Sequence, residues 1–339
     1  MKTITLQQPG EFVLSQTPPP SPPSHGETRV LVRSVGVCGT DIHAYRGDQP
    51  FFTYPRILGH ELGVEVLEVG TGVHHVSIGD ACAVEPYLNC GRCAACRAGK
   101  TNCCSSLICL GVHGDGGMRE QINLPAHKLH PSAELPFDHL ALVETMGIGK
   151  HAVDRAALMD GDTVAVIGLG PIGLTAIQFA LARGVRVVGL DISPERCDAA
   201  HDLLPGVEKL AVDPDQPLLQ NWRNRHEQLP RVVFDATGHR SSMQQAFSLP
   251  EQGGTLVFIG LVIGEITFND PDFHRKELTL MSSRNAVARD FQQIIEHMEA
   301  GHLQVDRWIT HRTDAQHLPG VFDAWLRPDA KMLKGVVNF

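Results

Sequence analysis

No apolar run in this chain approaches the length of a membrane span, and the opening MKTITLQQPGEF lacks the apolar core of a targeting signal. The first absence excludes a helical membrane protein, and the second leads us to expect no targeting segment. Positive charge is also scarce. With 29 Lys and Arg against 38 Asp and Glu, the net charge is -9, which argues against nucleic acid or an anionic membrane as the main partner. Nor do the cysteines make a disulfide framework: there are nine, an odd number, and four crowd into one short cluster. That usage fits a reducing, cytoplasmic setting. What is left, 42% hydrophobic and 20% charged residues in 339, suits a soluble globular chain long enough for two domains with cores.

Chemistry-bearing residues concentrate between Cys38 and Glu61, in CGTDIHAYRGDQPFFTYPRILGHE. Thiolate (Cys38), imidazole (His60) and carboxylate (Glu61) are the side chains that bind zinc when one coordination position must stay open for substrate. Thr40 and His43 follow Cys38 at spacings where a hydroxyl and an imidazole can pass a proton outward. A second cluster, CGRCAACRAGKTNCC, places Cys90, Cys93, Cys96 and Cys104 in a Cys-x-x-Cys-x-x-Cys-x7-Cys pattern. Four thiolates on one tetrahedral metal form a saturated, structural site. Cys103 is a neighbour that competes for the fourth place. An iron–sulfur cluster is the rival reading, but the proline expected after the last cysteine and a partner cluster are both missing. Cys82, Cys109 and Cys197 read as packing residues.

The first 37 residues and the segments VEVLEVG and GDACAVEPY have the alternation of strands, with TPPPSPPSHG as a stiff connector between two of them. From Gly161 the period changes. TVAVIG reads as a buried strand, GLGPIG as a turn from Gly168 to Gly173 that includes Pro171 and Ile172, and LTAIQFALARG as a helix. An acid, Asp191, ends the next strand 18 residues after the last of these glycines. A glycine-rich turn between strand and helix, followed by such an acid, is the context of a dinucleotide fingerprint. The helix N-terminus meets the phosphates, while Asp191 accepts hydrogen bonds from ribose hydroxyls and repels a 2′-phosphate, so NAD is expected over NADP. Arg196 is the opposing feature, since an arginine there can hold that phosphate; its other role is adenine stacking or a surface ion pair. RVVFDATG and TLVFIGL supply further strands whose C-terminal ends, at Thr237 and Gly260, face the cofactor. Strand and helix alternate to about Ser282, which predicts a doubly wound parallel sheet.

Together the Cys-x-Thr-x-x-His cluster, the Gly-His-Glu triplet, the four-cysteine lobe and the glycine-rich turn resemble the zinc-dependent medium-chain alcohol/polyol dehydrogenase family over the whole chain. The resemblance implies an α/β fold: a GroES-like β-rich catalytic domain at 1–150 with a structural zinc lobe at about 88–106, a Rossmann domain at 151–287, and a segment at 288–339 that completes the catalytic domain. It implies two zinc ions per chain and NAD. Cys38 and His60 are the expected catalytic zinc ligands, with Glu61 and Glu144 competing for the remaining place. Thr40 would take the substrate proton, His43 would be the outer relay, and Asp41 would brace the loop. SVGVCGTDIHA, QPFFTYPRILGHE, KTNCC, LGVHGDGGM, DPDFHRKELTLMSSRNA and KGVVNF narrow the match to enzymes of the L-galactonate/L-gulonate type, which oxidise the C5 hydroxyl of a hexonate with NAD. The carboxylate of such a substrate needs a cation; Arg284 with Asn285 beside it is the candidate, then Arg119 and Lys150. Polyol (sorbitol or xylitol) and L-threonine 3-dehydrogenases are the alternatives within the enzyme class. An inactive cofactor-binding relative and a zinc-free quinone reductase are the alternatives outside it. By analogy with relatives, a homo-oligomer (dimer or tetramer) is expected.

Overall fold

The alternation in TRVLVRSVGV produces the strand Glu27–Val37, whose residues 28, 30, 32 and 34 are buried in turn before Val35, Gly36 and Val37 are buried in succession. In the computed structural model, which describes residues 1–49 and 52–339, this strand lies inside a seven-stranded sheet. Pro50 and Phe51, within the stretch quoted above, lie outside the described residues. The sheet runs in the order Ile309–Asp314, Lys334–Asn338, Glu27–Val37, Glu61–Val69, Ala81–Val84 and Leu129–Ser132, with Gln121–Pro125 pairing to Glu27–Val37 off that path. Its neighbours on either side are antiparallel, in a register that sets Gly335 opposite Val37 and Gly36 opposite Glu61. Val30, Val32, Leu62, Val64, Phe322 and Val337 belong to the core this sheet covers.

Thr163–Ile167 begins a second sheet of six strands, all parallel: Glu208–Ala211, Arg186–Asp191, Thr163–Ile167, Val232–Asp235, Thr255–Phe258 and Thr279–Ser282. Counted by sequence the order is 3-2-1-4-5-6, the doubly wound arrangement expected from the alternating strand and helix pattern. Strands covered on both faces read as apolar runs, and Val164, Ala165, Val166, Val232, Val233 and Phe234 are each fully buried. The order reverses between Thr163–Ile167 and Val232–Asp235, and ligands of such sheets bind beyond the strands' C-terminal ends at that point.

Two compact units result, Met1–Gly147 with Ala286–Phe339, and Ile148–Asn285. Among the described residues no helix is long and apolar enough to cross a membrane.

Candidate functional site

Cys38 follows the strand Glu27–Val37 and serves as the cap of the helix Gly39–Arg46. The cap is held from within the motif, since Asp41 Oδ2 accepts the Cys38 backbone N–H at 2.9 Å. The Gly-His-Glu triplet brings its own two side chains from the start of the neighbouring strand. One ligand atom each of Cys38, His60 and Glu61 lies within 4.8 Å of the others. His60 and Glu61 are buried, and Cys38 is half-buried. His60 Nδ1 and Asp41 Oδ1 are 3.8 Å apart, and each is buried without a hydrogen-bond partner.

The charges here favour a cation. Burial alone would lower the His60 pKa, yet Asp41, Cys38 and Glu144 around it push it well above the usual range. Burial raises Asp41 and Glu144, and the charge of Glu61 raises both further. Carboxyl groups and a thiol crowding a buried imidazole are the donor set that a divalent metal ion relieves. The residues present therefore fit zinc.

Glu61 has a partner that local sequence gives no sign of. Lys334 Nζ donates to both of its carboxylate oxygens, and also to the Val37 carbonyl at 3.2 Å. The two residues belong to strands on opposite sides of Glu27–Val37, and Gly36 between them makes the meeting possible. A Cβ at Gly36 would lie 2.1 Å from Glu61 Oε2. Lys334 and Glu61 are 2% and 1% exposed, so the ion pair is out of water. The one signal in the sequence was a lysine heading the apolar strand KGVVN.

Glu144 comes from the middle of the 20-residue helix Phe137–Ala156. It does not join the Cys38–His60–Glu61 set; the Tyr87 hydroxyl donates to its Oε1. Tyr87 is buried, and burial together with the Glu144 charge drives its pKa far up, so it stays a donor. Opposite Tyr87 in a two-residue ladder is Cys109. Burial pushes the Cys109 thiol up to about 12, and the charges of His60, Glu144 and Cys38 also act on it.

Thr40 is half-buried on the Gly39–Arg46 helix, and His43 is exposed one turn on, its Nδ1 2.9 Å from Asp48 Oδ1. Sequence reasoning had not singled out Asp48.

Cys90, Cys93, Cys96 and Cys104 form the second set, again within 4.8 Å of one another. Backbone N–H groups point at the sulfurs: Cys90 and Ser106 donate to Cys104 at 3.3 and 3.4 Å, and Cys96 to Cys93 at 3.5 Å. Such donors favour thiolate, and those of Cys96 and Ser105 bring the Cys93 thiol down to about 5. This donor set fits a closed zinc site. Cys103 is exposed and outside it.

In the other unit, Gly168 has φ +91 and lies against Thr237, and a Cβ at Gly173 would sit 1.8 Å from the Gly168 carbonyl oxygen. Helix Pro171–Ala182 starts from Gly170, with Pro171 and Ile172 its first two residues. A Cβ at Gly170 would meet no protein atom within 4 Å, so the space before the helix is open to a ligand such as a pyrophosphate. Asp191 ends its strand and accepts the N–H of Leu169 at 2.8 Å and of Ser193 at 3.0 Å. It therefore ties the glycine turn to the next strand. Arg196 Nη1, exposed, is 3.8 Å from Oδ2 of the buried Asp191. Thr237 donates through N and Oγ1 to Asp235, and the Gly260 N–H bonds the Asp235 carbonyl. The structure thus brings the turn, Asp191, Thr237 and Gly260 to the C-terminal end of one sheet.

Of the carboxylate-binding candidates, Arg284 is exposed just past Thr279–Ser282, and Asn285 beside it adopts φ +53. The Arg119 guanidinium has its Nε buried without a hydrogen-bond partner, and burial lowers its pKa. Lys150 is buried and donates to Asp154 Oδ2 at 2.7 Å within its own helix.

Compared with known proteins, residues 24–135 match the alcohol dehydrogenase GroES-like domain and residues 171–300 the zinc-binding dehydrogenase family. The chain is similar to L-galactonate-5-dehydrogenase of Escherichia coli K12, at 40% identity over 100% of this chain and 99% of that one. Sorbitol dehydrogenase of Bacillus subtilis 168 is 30% identical over 92% and 91% of the two chains. Among solved structures, an alcohol dehydrogenase of Escherichia coli CFT073 in complex with NADH superposes with a TM-score of 0.92, at 30% identity, covering 100% of this chain and 99% of that one.

Proposed function

Because this chain belongs to the zinc-type medium-chain alcohol dehydrogenase family, we propose that it oxidises the C5 hydroxyl of a hexonate, of the L-galactonate or L-gulonate kind, with NAD. The observation that carries the reaction class is the Cys38–His60–Glu61 set together with a second, closed set of four cysteines. The sugar-acid reading draws its support from the relative at 40% identity.

In this reading Cys38, His60 and one glutamate hold the catalytic zinc, and Cys90, Cys93, Cys96 and Cys104 the structural one. The first zinc supplies Lewis acidity at the substrate hydroxyl, and the dinucleotide supplies the hydride acceptor. The remaining work falls to the chain itself. Thr40 Oγ1 accepts the hydroxyl proton as it passes its own proton outward, and His43, exposed and oriented by Asp48, releases a proton to solvent. The Gly168–Gly173 turn and the start of helix Pro171–Ala182 receive the pyrophosphate. Asp191 has lone pairs left after its two backbone bonds and accepts from the ribose hydroxyls. Arg284, with Asn285, takes the substrate carboxylate, because a planar guanidinium holds both oxygens and so fixes which carbinol is presented. We read the assembly as a homo-oligomer, for which the edge strand Thr279–Ser282, with Leu280 exposed, offers a surface.

The test is a screen of L-galactonate, L-gulonate, sorbitol, xylitol and L-threonine with NAD, followed by NADH absorbance. Hexonates should give the highest kcat/KM. A polyol or threonine that outruns them overturns the substrate reading. Arg284→Ala should cost about 2–4 kcal/mol in kcat/KM on the hexonate and little on a polyol. Equal losses on both would remove Arg284 from the carboxylate site.

A further inference from the structure

We infer that Tyr87 is a positioning residue of the metal centre: its phenol holds Glu144 outside the Cys38–His60–Glu61 set and so keeps a coordination position open for substrate. The inference rests on the zinc reading of that set given above.

The site holds two glutamates, and among the described residues each side chain is bound by a different one. Glu61 lies within the 4.8 Å set and is bound by the Lys334 ammonium. Glu144 lies outside it and is bound by a neutral phenol. A carboxylate only accepts, so the Tyr87 O–H must donate to it. The phenol is fixed from two sides. Its backbone is registered against Cys109 in the ladder of Tyr87–Leu88 with Ile108–Cys109, and its ring packs edge-on to Phe291 at 6.4 Å. Tyr87 is 2% exposed and Glu144 5%, so water does not replace the bond if it is lost. A buried carboxylate deprived of its donor must find another partner. Within reach of its charge are His60, Lys334 and whatever cation the set holds. A second glutamate on the metal would fill the position that a catalytic site leaves free.

The experiment exchanges the zinc of the Cys38–His60–Glu61 set, the more labile one because an open site has fewer protein ligands, for Co2+, with zinc kept in the four-cysteine lobe, and compares visible spectra and metal affinity of four proteins: wild type, Tyr87→Phe, Glu144→Gln, and the double variant. Wild type and Glu144→Gln should share one intense four-coordinate spectrum. Tyr87→Phe should show weaker, shifted bands of a higher-coordinate ion and bind metal about tenfold tighter, the scale on which outer partners tune metal sites. The double variant should return to the wild-type spectrum, which a merely structural role for Tyr87 does not predict. A Tyr87→Phe spectrum identical to wild type overturns the inference. So does a Glu144→Gln single variant that changes the spectrum and binds metal more weakly, because Glu144 is then already a ligand. That second comparison leaves Tyr87 intact and decides the matter even if Tyr87→Phe does not fold. Failure of the zinc reading looks different: wild type would take up no cobalt at this site, or its thiolate charge-transfer band would survive Cys38→Ser.

Discussion

Replacing Lys334 by Met keeps the length of the side chain and removes only its charge and donors. Three hydrogen bonds go with it, two to the Glu61 carboxylate and one to the Val37 carbonyl. The acid left behind is 1% exposed, and breaking a buried pair from one side typically costs about 3–5 kcal/mol. An independent bound agrees. A buried carboxylate can escape by taking up a proton, which for an ordinary glutamate at pH 7 costs about 3–4 kcal/mol. A divalent cation at Glu61 supplies the missing positive charge, so the loss should be largest with the labile metal stripped and smaller once zinc is restored. Global unfolding of a two-unit chain is not expected to be two-state, so the assay should be local. Native-state amide exchange at Val336 and Val337, both fully buried in the strand that carries Lys334, reads the opening free energy of that strand. Adding Glu61→Gln to Lys334→Met removes the stranded charge and should recover half or more of the loss, giving a coupling of about 2 kcal/mol in the double-mutant cycle. An opening free energy within about 0.5 kcal/mol of wild type in the stripped Lys334→Met protein, or strict additivity of the two changes, would refute the argument.

Gly36→Ala attacks the same pair from between. Its Cβ meets Glu61 Oε2 at 2.1 Å, so the carboxylate must move; a loss of about 1–3 kcal/mol and of labile zinc, with the four-cysteine zinc retained, should appear in metal analysis. Unchanged metal content would mean that Glu61 has a second usable position. Asp191→Ser should reduce the NAD-over-NADP ratio of kcat/KM by about 1–3 kcal/mol, and it should also lower stability, because the Leu169 and Ser193 N–H groups lose their acceptor. A wild-type enzyme that already prefers NADP would defeat this. Asp162 supplies a pH test. Burial would raise its carboxyl, but the Arg231 guanidinium and the Met159 N–H outweigh that and hold it below the usual range. A lowered folded pKa gives stability that is present above the unfolded value, about 3.9, and lost as pH falls through the folded one. Asp162→Asn should therefore cost about 2 kcal/mol in the opening free energy read by native-state amide exchange of the strand Thr163–Ile167 at pH 6–7, a gap that closes below about pH 4. A gap independent of pH would point to packing instead.

What the sequence reveals here follows the range of the forces involved. The glycine turn, its helix and Asp191 lie within 24 residues and are read from spacing, because a strand–turn–helix is a local object. The four-cysteine set is legible for the same reason. The parallel sheet follows from alternating periods, since each strand must be covered on both faces. Lys334 and Tyr87 were missed for the opposite reason. Lys334 meets Glu61 across a sequence separation of 273, through the register of two strand pairs on either side of Gly36. Tyr87 meets Glu144 across 57, through the placing of a long helix against a two-residue ladder. Neither distance is visible in a motif.

The separation between Glu61 and Lys334 also has a meaning in time. A ribosome adding about 5–20 residues per second takes roughly 14–55 s to pass from one to the other. Through that interval the acid is made and its counter-charge is not. The strand Glu61–Val69 cannot bury its first residue without a penalty, while Ile148–Asn285, whose sheet contacts are all its own, has every residue it needs. The order of synthesis therefore favours the unit Ile148–Asn285 as the first to close, with Cys38, His60 and Glu61 left open to solvent until the strand Lys334–Asn338 arrives. Folding of this chain should end, rather than begin, around Cys38, His60 and Glu61.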